Sequence, residues 1–263
     1  MGKSRRKHQP RSTPRAAPAP RPSLVRRTRA FILGLLPSVI IFLGARELLA
    51  EAYEIPSGSM EPTLLVGDRL FVNKLRFGPH IPFTSVSLPG YAQPKRGDIA
   101  VFVSPPQVEE IRITPDDVTP TLVKRIVGVP GDTLVMRHGQ LTVNGSPMPS
   151  PNAFVLEDAI ADEPQDLFAW QHRIEIGGSR FGPPVPAPSL HNWGPIVVPA
   201  GNYFMMGDNR DNSVDSRYYG PVPRANLRGT PMFFYYSYDK EQGADYFRAV
   251  TDIRWRRIGH WIR

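Results

Sequence analysis

The chain has 263 residues, 41% of them hydrophobic, enough to bury one large or two small domains. Its net charge of +8 is a property of one tail: residues 1–29 hold ten Lys/Arg and no Asp/Glu, leaving 22 basic against 24 acidic residues elsewhere, which argues against a basic nucleic-acid-binding face on the body. The absence of cysteine excludes a disulfide framework, Cys-ligated zinc and a thiol nucleophile.

Residues 1–29 also carry five prolines and too little apolar surface to fold, so they are expected to be a disordered basic tail. Residues 30–45 are uncharged and mostly apolar, and the apolar character resumes at Leu48 after Arg46-Glu47. Sixteen residues fall short of the ~20 that a bilayer requires, but Ala30–Ala50 reaches that length with Arg46 snorkelling to the interface. Residues 30–52 therefore read as a transmembrane anchor kinked at Pro37. A cleavable signal peptide ending at Ala50-Glu51-Ala52 is the competing reading, and Arg26-Arg27 and the acid-free flank leave twin-arginine and transit-peptide readings open. In each case the ten positive charges keep the N-terminus cytoplasmic and put the body across the membrane.

Next comes Glu54-Ile-Pro-Ser-Gly-Ser-Met-Glu-Pro-Thr-Leu64, with Ser57 and Ser59 flanking Gly58 between two prolines. Pro56 and Pro62 stiffen the backbone and Gly58 is expected to permit a sharp turn, so Ser59 would sit on a rigid corner. Such a corner is either a plain turn or the mount of a nucleophile.

The high content of proline (30) and glycine (22) favours short strands over long helices from here on. Strands are expected over 69–74, 98–103, 121–128, 203–206 and 231–236. A hairpin is expected at 134–143 around Arg137–Gln140, with a further turn at Asn144-Gly145. Residues 146–199, with an acidic stretch at Glu157–Asp166 and Pro-rich pieces at Phe181–Pro188, read as loops on an inserted lobe. The organisation expected is thus tail 1–29, anchor 30–52, catalytic β core 53–132 and 200–263, and an inserted lobe 133–199. In the last ten residues Trp255 and Trp261 alternate with arginines, which suits a core-packed terminus or a membrane-surface contact.

The six histidines lack close ligand spacing, so no metal site is expected. No G-x-S-x-G elbow is present, and Asp208–Asp215 fails as a calcium loop because arginine stands at its third position and no glycine at its sixth. What remains is serine plus lysine. Lys124 follows Leu122-Val123 in an alternating strand. Burial there would lower its pKa enough for it to deprotonate Ser59, and the alternative is an ordinary strand lysine.

Four stretches together resemble type I signal peptidases, the membrane-bound Ser–Lys leader peptidases: Ile55–Asp68 (IPSGSMEPTLLVGD), Lys95–Phe102 (KRGDIAVF), Val123–Asp132 (VKRIVGVPGD) and Gly207–Gly220 (GDNRDNSVDSRYYG). They occur in the family's order, and the likeness spans about 53–240 apart from the insert. The resemblance implies an all-β catalytic domain of mostly antiparallel sheets behind one N-terminal transmembrane helix. It implies Ser59 as nucleophile, Lys124 as general base and no cofactor. It also implies an oxyanion hole from the Ser57 hydroxyl and the Ser59 N–H, and Ser213 orienting the lysine. Asp208 with Arg125, and Asp215 with Arg217, would buttress the site. Tyr53, Ile55, Met60, Leu64, Leu70, Val101 and Val123 would line pockets for small residues at positions −1 and −3 of an exported preprotein's signal peptide. The location implied is the bacterial cytoplasmic membrane, single-pass, with the enzyme domain outside. A specialised pilus or conjugation peptidase, a self-cleaving repressor-like protease and a non-catalytic tethered β protein are the other readings. The single span and the absence of any disulfide depart from some family members.

Overall fold

In the computed structural model, residues 24–81, 84, 86–148, 165–177, 180–240 and 248–262 are described. The basic tail to residue 23 and most of the acidic stretch Glu157–Asp166 lie outside them. The described residues fall into two separate compact units, divided after Leu43.

The N-terminal helix α1 runs Leu24–Leu49 and continues through Pro37. It starts six residues before the expected anchor and ends three earlier, because the chain turns extended at Ala50. Among the described residues no helix is long and apolar enough to cross a membrane. Phe31, Ile32, Leu33, Leu36 and Phe42 on α1 are all more than half exposed.

The body is antiparallel β structure. Its strands are β1 (Ala50–Glu54), β2 (Asp68–Asn73), β3 (Ile99–Val103), β4 (Thr121–Gly128), β5 (Thr133–Arg137), β6 (Gln140–Val143), β7 (Ser146–Pro147), β8 (Trp193–Val197) and β9 (Asn202–Met206). A one-turn helix α2 (Ser216–Tyr219), β10 (Val222–Pro223), β11 (Leu227–Ser237) and a short α3 (Arg248–Thr251) complete the chain. Seven strands form one sheet in the order β1-β2-β11-β3-β4-β9-β10, and four form a second in the order β7-β6-β5-β8.

Local chemistry accounts for these elements. The β2 burial alternates strictly, as expected for a strand with one face on the core. Strand β3 is buried on both faces because Ile99 and Val101 pack into one core cluster and Ala100 and Phe102 into another. The hairpin β5–β6 closes on His138-Gly139, both at positive φ, and β6–β7 closes on Asn144-Gly145, also both positive. These are the two-residue turns whose twist matches paired strands. The expected strands are all present, with β11 longer than its motif.

Two elements differ from expectation. Ala50–Ala52, expected to close the anchor or a cleavage site, instead begin strand β1, which pairs along its whole length with β2. Trp193–Val197, placed among loops with the rest of 146–199, is a strand, and its outer position in the second sheet tolerates Pro195.

One core cluster joins the sheets, with Val127, Phe204 and Met206 against Leu134, Trp193 and Ile196. A second, of Ile55, Met60, Leu64, Leu70, Val72, Ile99, Val101 and Phe234, lies beneath the serine turn. The C-terminal segment is tied to the body rather than free: Arg257 forms a two-point ion pair with buried Asp68, which also accepts from Ser237 Oγ. Trp255 and Trp261 remain exposed.

Candidate active site

The stretch between β1 and β2 is a closed loop, because Ile55 N donates to Asp68 O (2.8 Å) and Gly67 N donates to Ile55 O (3.0 Å). Inside it, Gly58–Met60 makes one 3-10 turn, preceded by Ser57 in extended conformation. Met60 and Leu64 point into the core and fix the turn from below. Gly58 does not use the left-handed conformation expected of a sharp glycine corner. A Cβ there would lie 2.9 Å from the Glu61 carboxylate, the far end of a flexible side chain that can move aside.

The loop after β9 holds the turn from behind. Asn209 N donates to Ser59 O and Asn209 Nδ2 to Gly58 O, each at 3.2 Å. A Cβ on Gly207 would collide with the Ser59 carbonyl and with Ser213 Oγ. Glycine is therefore required where β9 passes the turn.

Strand β4 supplies the amine. Lys124 Nζ lies 2.5 Å from Ser59 Oγ, and Lys124 is buried. Its pKa is lowered to about 8, chiefly by burial and also by the Arg217 charge, against the opposing charges of Asp215 and Asp208.

Around this pair are two ion pairs. Arg125 Nε and Nη2 donate to the two oxygens of Asp208 at 2.7 and 2.6 Å, and Thr63 Oγ1 donates to the same carboxylate at 2.5 Å. Arg217 Nε and Nη2 donate to Asp215 at 2.9 and 2.8 Å, with neither side chain exposed. Asp215 also caps α2 and accepts from Gly207 N at 3.1 Å. Its pKa is lowered: burial pushes it up, and the Arg217 charge overrides that. The Arg125–Asp208 pair links β4 to the nucleophile loop through Thr63, and the Arg217–Asp215 pair fixes the loop after β9. Ser213, expected to orient the lysine, donates its Oγ to Asp215 at 2.8 Å. Among these contacts it reaches Lys124 only through the charge of Asp215, which raises the lysine's pKa.

An apolar groove of about 520 Å³ opens over the pair, walled by Tyr53–Met60 on one side and Thr121–Lys124 on the other. Of the seven residues expected in pockets, Tyr53, Ile55, Met60 and Val123 line it. Leu64, Leu70 and Val101 do not: each has 0% exposure and packs in the core below. The correction has a simple cause, since apolar strand residues at neighbouring positions serve either surface. Ser57 is exposed at the rim and makes no capping hydrogen bond. The sequence reading missed Thr63, Gly207 and Asn209, although all three lie within the matched boxes, and it missed the groove wall at Ile113-Thr114, for which no motif exists. Among the described residues no group of three or more His, Asp or Glu side chains is placed to hold a metal ion.

Two antiparallel sheets carrying a serine hydroxyl beside a buried amine, at the floor of a groove between strands, describe a β-rich serine peptidase. Residues 28–236 match the family described as signal peptidase, peptidase S26. The signal peptidase I of Pseudomonas aeruginosa is 35% identical over 79% of this chain and 71% of its own length; that of Pseudomonas fluorescens is 36% identical over the same shares. The signal peptidase I of Buchnera aphidicola from Acyrthosiphon pisum is 32% identical over 87% of this chain and 81% of its own. The chain belongs to the signal peptidase family and is a peptidase.

Proposed function

We propose that the protein removes N-terminal signal peptides from exported preproteins, with Ser59 as nucleophile and neutral Lys124 as general base. The observation that carries this is the 2.5 Å approach of a buried amine, its pKa lowered to about 8, to the Ser59 hydroxyl. Neutral Lys124 takes the Ser59 proton as Oγ attacks the scissile carbonyl. The Ser59 N–H and the Ser57 hydroxyl donate to the oxyanion. Lys124 then returns the proton to the leaving amine. Water, deprotonated by the same lysine, hydrolyses the acyl-enzyme.

The signal peptide binds extended in the groove. Strand β9 pairs with β4 from Arg125 onward, which leaves the preceding edge of β4 open for strand addition. Tyr53, Ile55, Met60 and Val123 shape the pockets for small side chains at −1 and −3. The exposed apolar side chains of α1 and the acid-free basic tail support anchorage in a bacterial cytoplasmic membrane, N-terminus inside and body outside.

The test is cleavage of a preprotein by detergent-purified full-length protein. Ser59→Ala and Lys124→Ala are each expected to lower kcat by on the order of 10⁴-fold or more while remaining folded. Cleavage at the wild-type rate by either variant would overturn the assignment.

A further inference from the structure

Strands β3 and β4 are antiparallel neighbours that already pair at their ends, Val103 opposite Thr121. A two-residue turn would join them. The chain instead uses the seventeen residues from Ser104 to Pro120. That connection is folded into an arm. Ser104 N donates to Pro120 O and Gln107 N donates to Val118 O, which continues the ladder past the sheet.

Gln107 holds the arm together. It is a buried polar side chain whose Nε2 donates to Ser104 Oγ at 3.1 Å and whose Oε1 accepts from Ile113 N at 3.2 Å. Ile111 is buried beside it, while Ile113 is 46% exposed. A single exposed isoleucine is ordinary on a protein surface. This one forms the groove wall with Thr114, continuing the side made by Thr121–Lys124. The arm also exposes Val108 and Val118, but neither lines the groove, and Glu109, Glu110, Asp116 and Asp117 are exposed charges.

We propose that the arm is a substrate-binding extension of the groove, in which Ile113, positioned by Gln107, contacts the apolar part of the signal peptide beyond the −3 residue. The proposal rests on the signal-peptide reading above. Lys124 stands beside the bond to be cut, and Thr121 lies three residues away along the strand, roughly 10 Å. An extended peptide therefore presents its third residue near Thr121 and its next few residues to the arm. Ile113 then selects substrates whose positions −4 to −6 are apolar.

The test uses two peptides identical from −3 to the C-terminal side of the cleavage site. One begins at −3; the other adds an apolar segment to −8. The readout is the ratio of kcat/KM for the long peptide to that for the short one. For the wild type the ratio is expected to be about tenfold, the scale of one apolar side-chain contact. Ile113→Glu should bring the ratio close to one, Gln107→Ala should lower it, and Ile113→Leu should restore most of it. A ratio unchanged in Ile113→Glu, or a wild-type ratio near one, would overturn the arm's role. If the wild type cleaves neither these peptides nor a full preprotein, the signal-peptide reading falls and the arm's role with it. Cleavage of the preprotein with a flat peptide ratio rejects the arm alone.

Discussion

Lys124 and Arg217 are both buried basic side chains of the same site, and their surroundings drive them in opposite directions. Burial alone would depress both pKa values. Arg217 lies in two-point contact with Asp215, and the carboxylate's charge reverses the effect so that its pKa is raised. Lys124 has a serine hydroxyl as its hydrogen-bond partner and no carboxylate in contact; its pKa falls to about 8. Arg210 lies between the two: buried, bonded through Nε to Gly207 O and lacking a partner at Nη2, it drops to about 10. Burial does not by itself decide whether a cation is a brace or a base; contact with a carboxylate does. The site keeps its two aspartates on arginines and leaves the lysine near enough to feel them without pairing.

Removing the brace should have the larger effect. Asp215→Asn leaves the Arg217 charge buried without its counterion, and such losses cost about 3–5 kcal/mol. Urea unfolding reads this directly. The same substitution removes a charge that raises the Lys124 pKa, so the acid limb of kcat/KM moves to lower pH. In the wild type that limb should rise from acid pH and level off above about 8, because only the neutral amine accepts the Ser59 proton. An acid limb that moves upward in Asp215→Asn would contradict the reading of Lys124 as a base tuned by Asp215.

Removing the base should do the reverse to stability. Below about pH 8 the folded state carries a buried ammonium whose pKa is about 8 rather than 10.5, a cost of about 3 kcal/mol. Lys124→Met deletes that cost and the activity together. Its unfolding free energy should exceed that of the wild type by up to ~3 kcal/mol at pH 7. Between about pH 8 and 10.5 the unfolded wild type binds more protons than the folded one, so wild-type stability rises with pH. The variant's advantage therefore shrinks across that window. A variant less stable than the wild type at pH 7 would mean that the lysine is held by interactions outweighing its burial.

This division between brace and base was only partly legible in the sequence. Ser59, Lys124 and the two Asp/Arg pairs fall in short boxes marked by their likeness to the family, and the geometry brings all six together. The groove was less legible. Leu64, Leu70 and Val101 are apolar strand and loop residues like Ile55 and Val123, and only the three-dimensional path shows that they face the core. In β3, buried on both faces, alternation carries no information about which face lines a cleft. Strand β8 was hidden because the acidic and Pro-rich pieces before it made the whole of 146–199 read as loop, and Pro195 is compatible with a strand only at an edge. Ile113 belongs to no motif, and its place follows from Gln107, a side chain whose hydrogen bonds have no signature in the chain.

Ser213 gives the smallest effect and the sharpest distinction. The sequence resemblance makes it a direct partner of the lysine. In the structure its hydroxyl donates to Asp215, whose acceptor oxygen keeps Gly207 N and Arg217 Nη2 when that hydroxyl is removed. Ser213→Ala should then cost about 1.5–3 kcal/mol of stability, the scale of one buried hydrogen bond to a charged group. Asp215 retains its charge and its distance from Lys124, so the acid limb of the pH profile should stay near 8. A direct bond to the lysine formed on substrate binding predicts something else: a kcat reduced by on the order of a hundredfold with a displaced limb, at little cost to stability. Stability and pH profile measured on this one variant therefore separate a serine that holds the brace from one that aims the base.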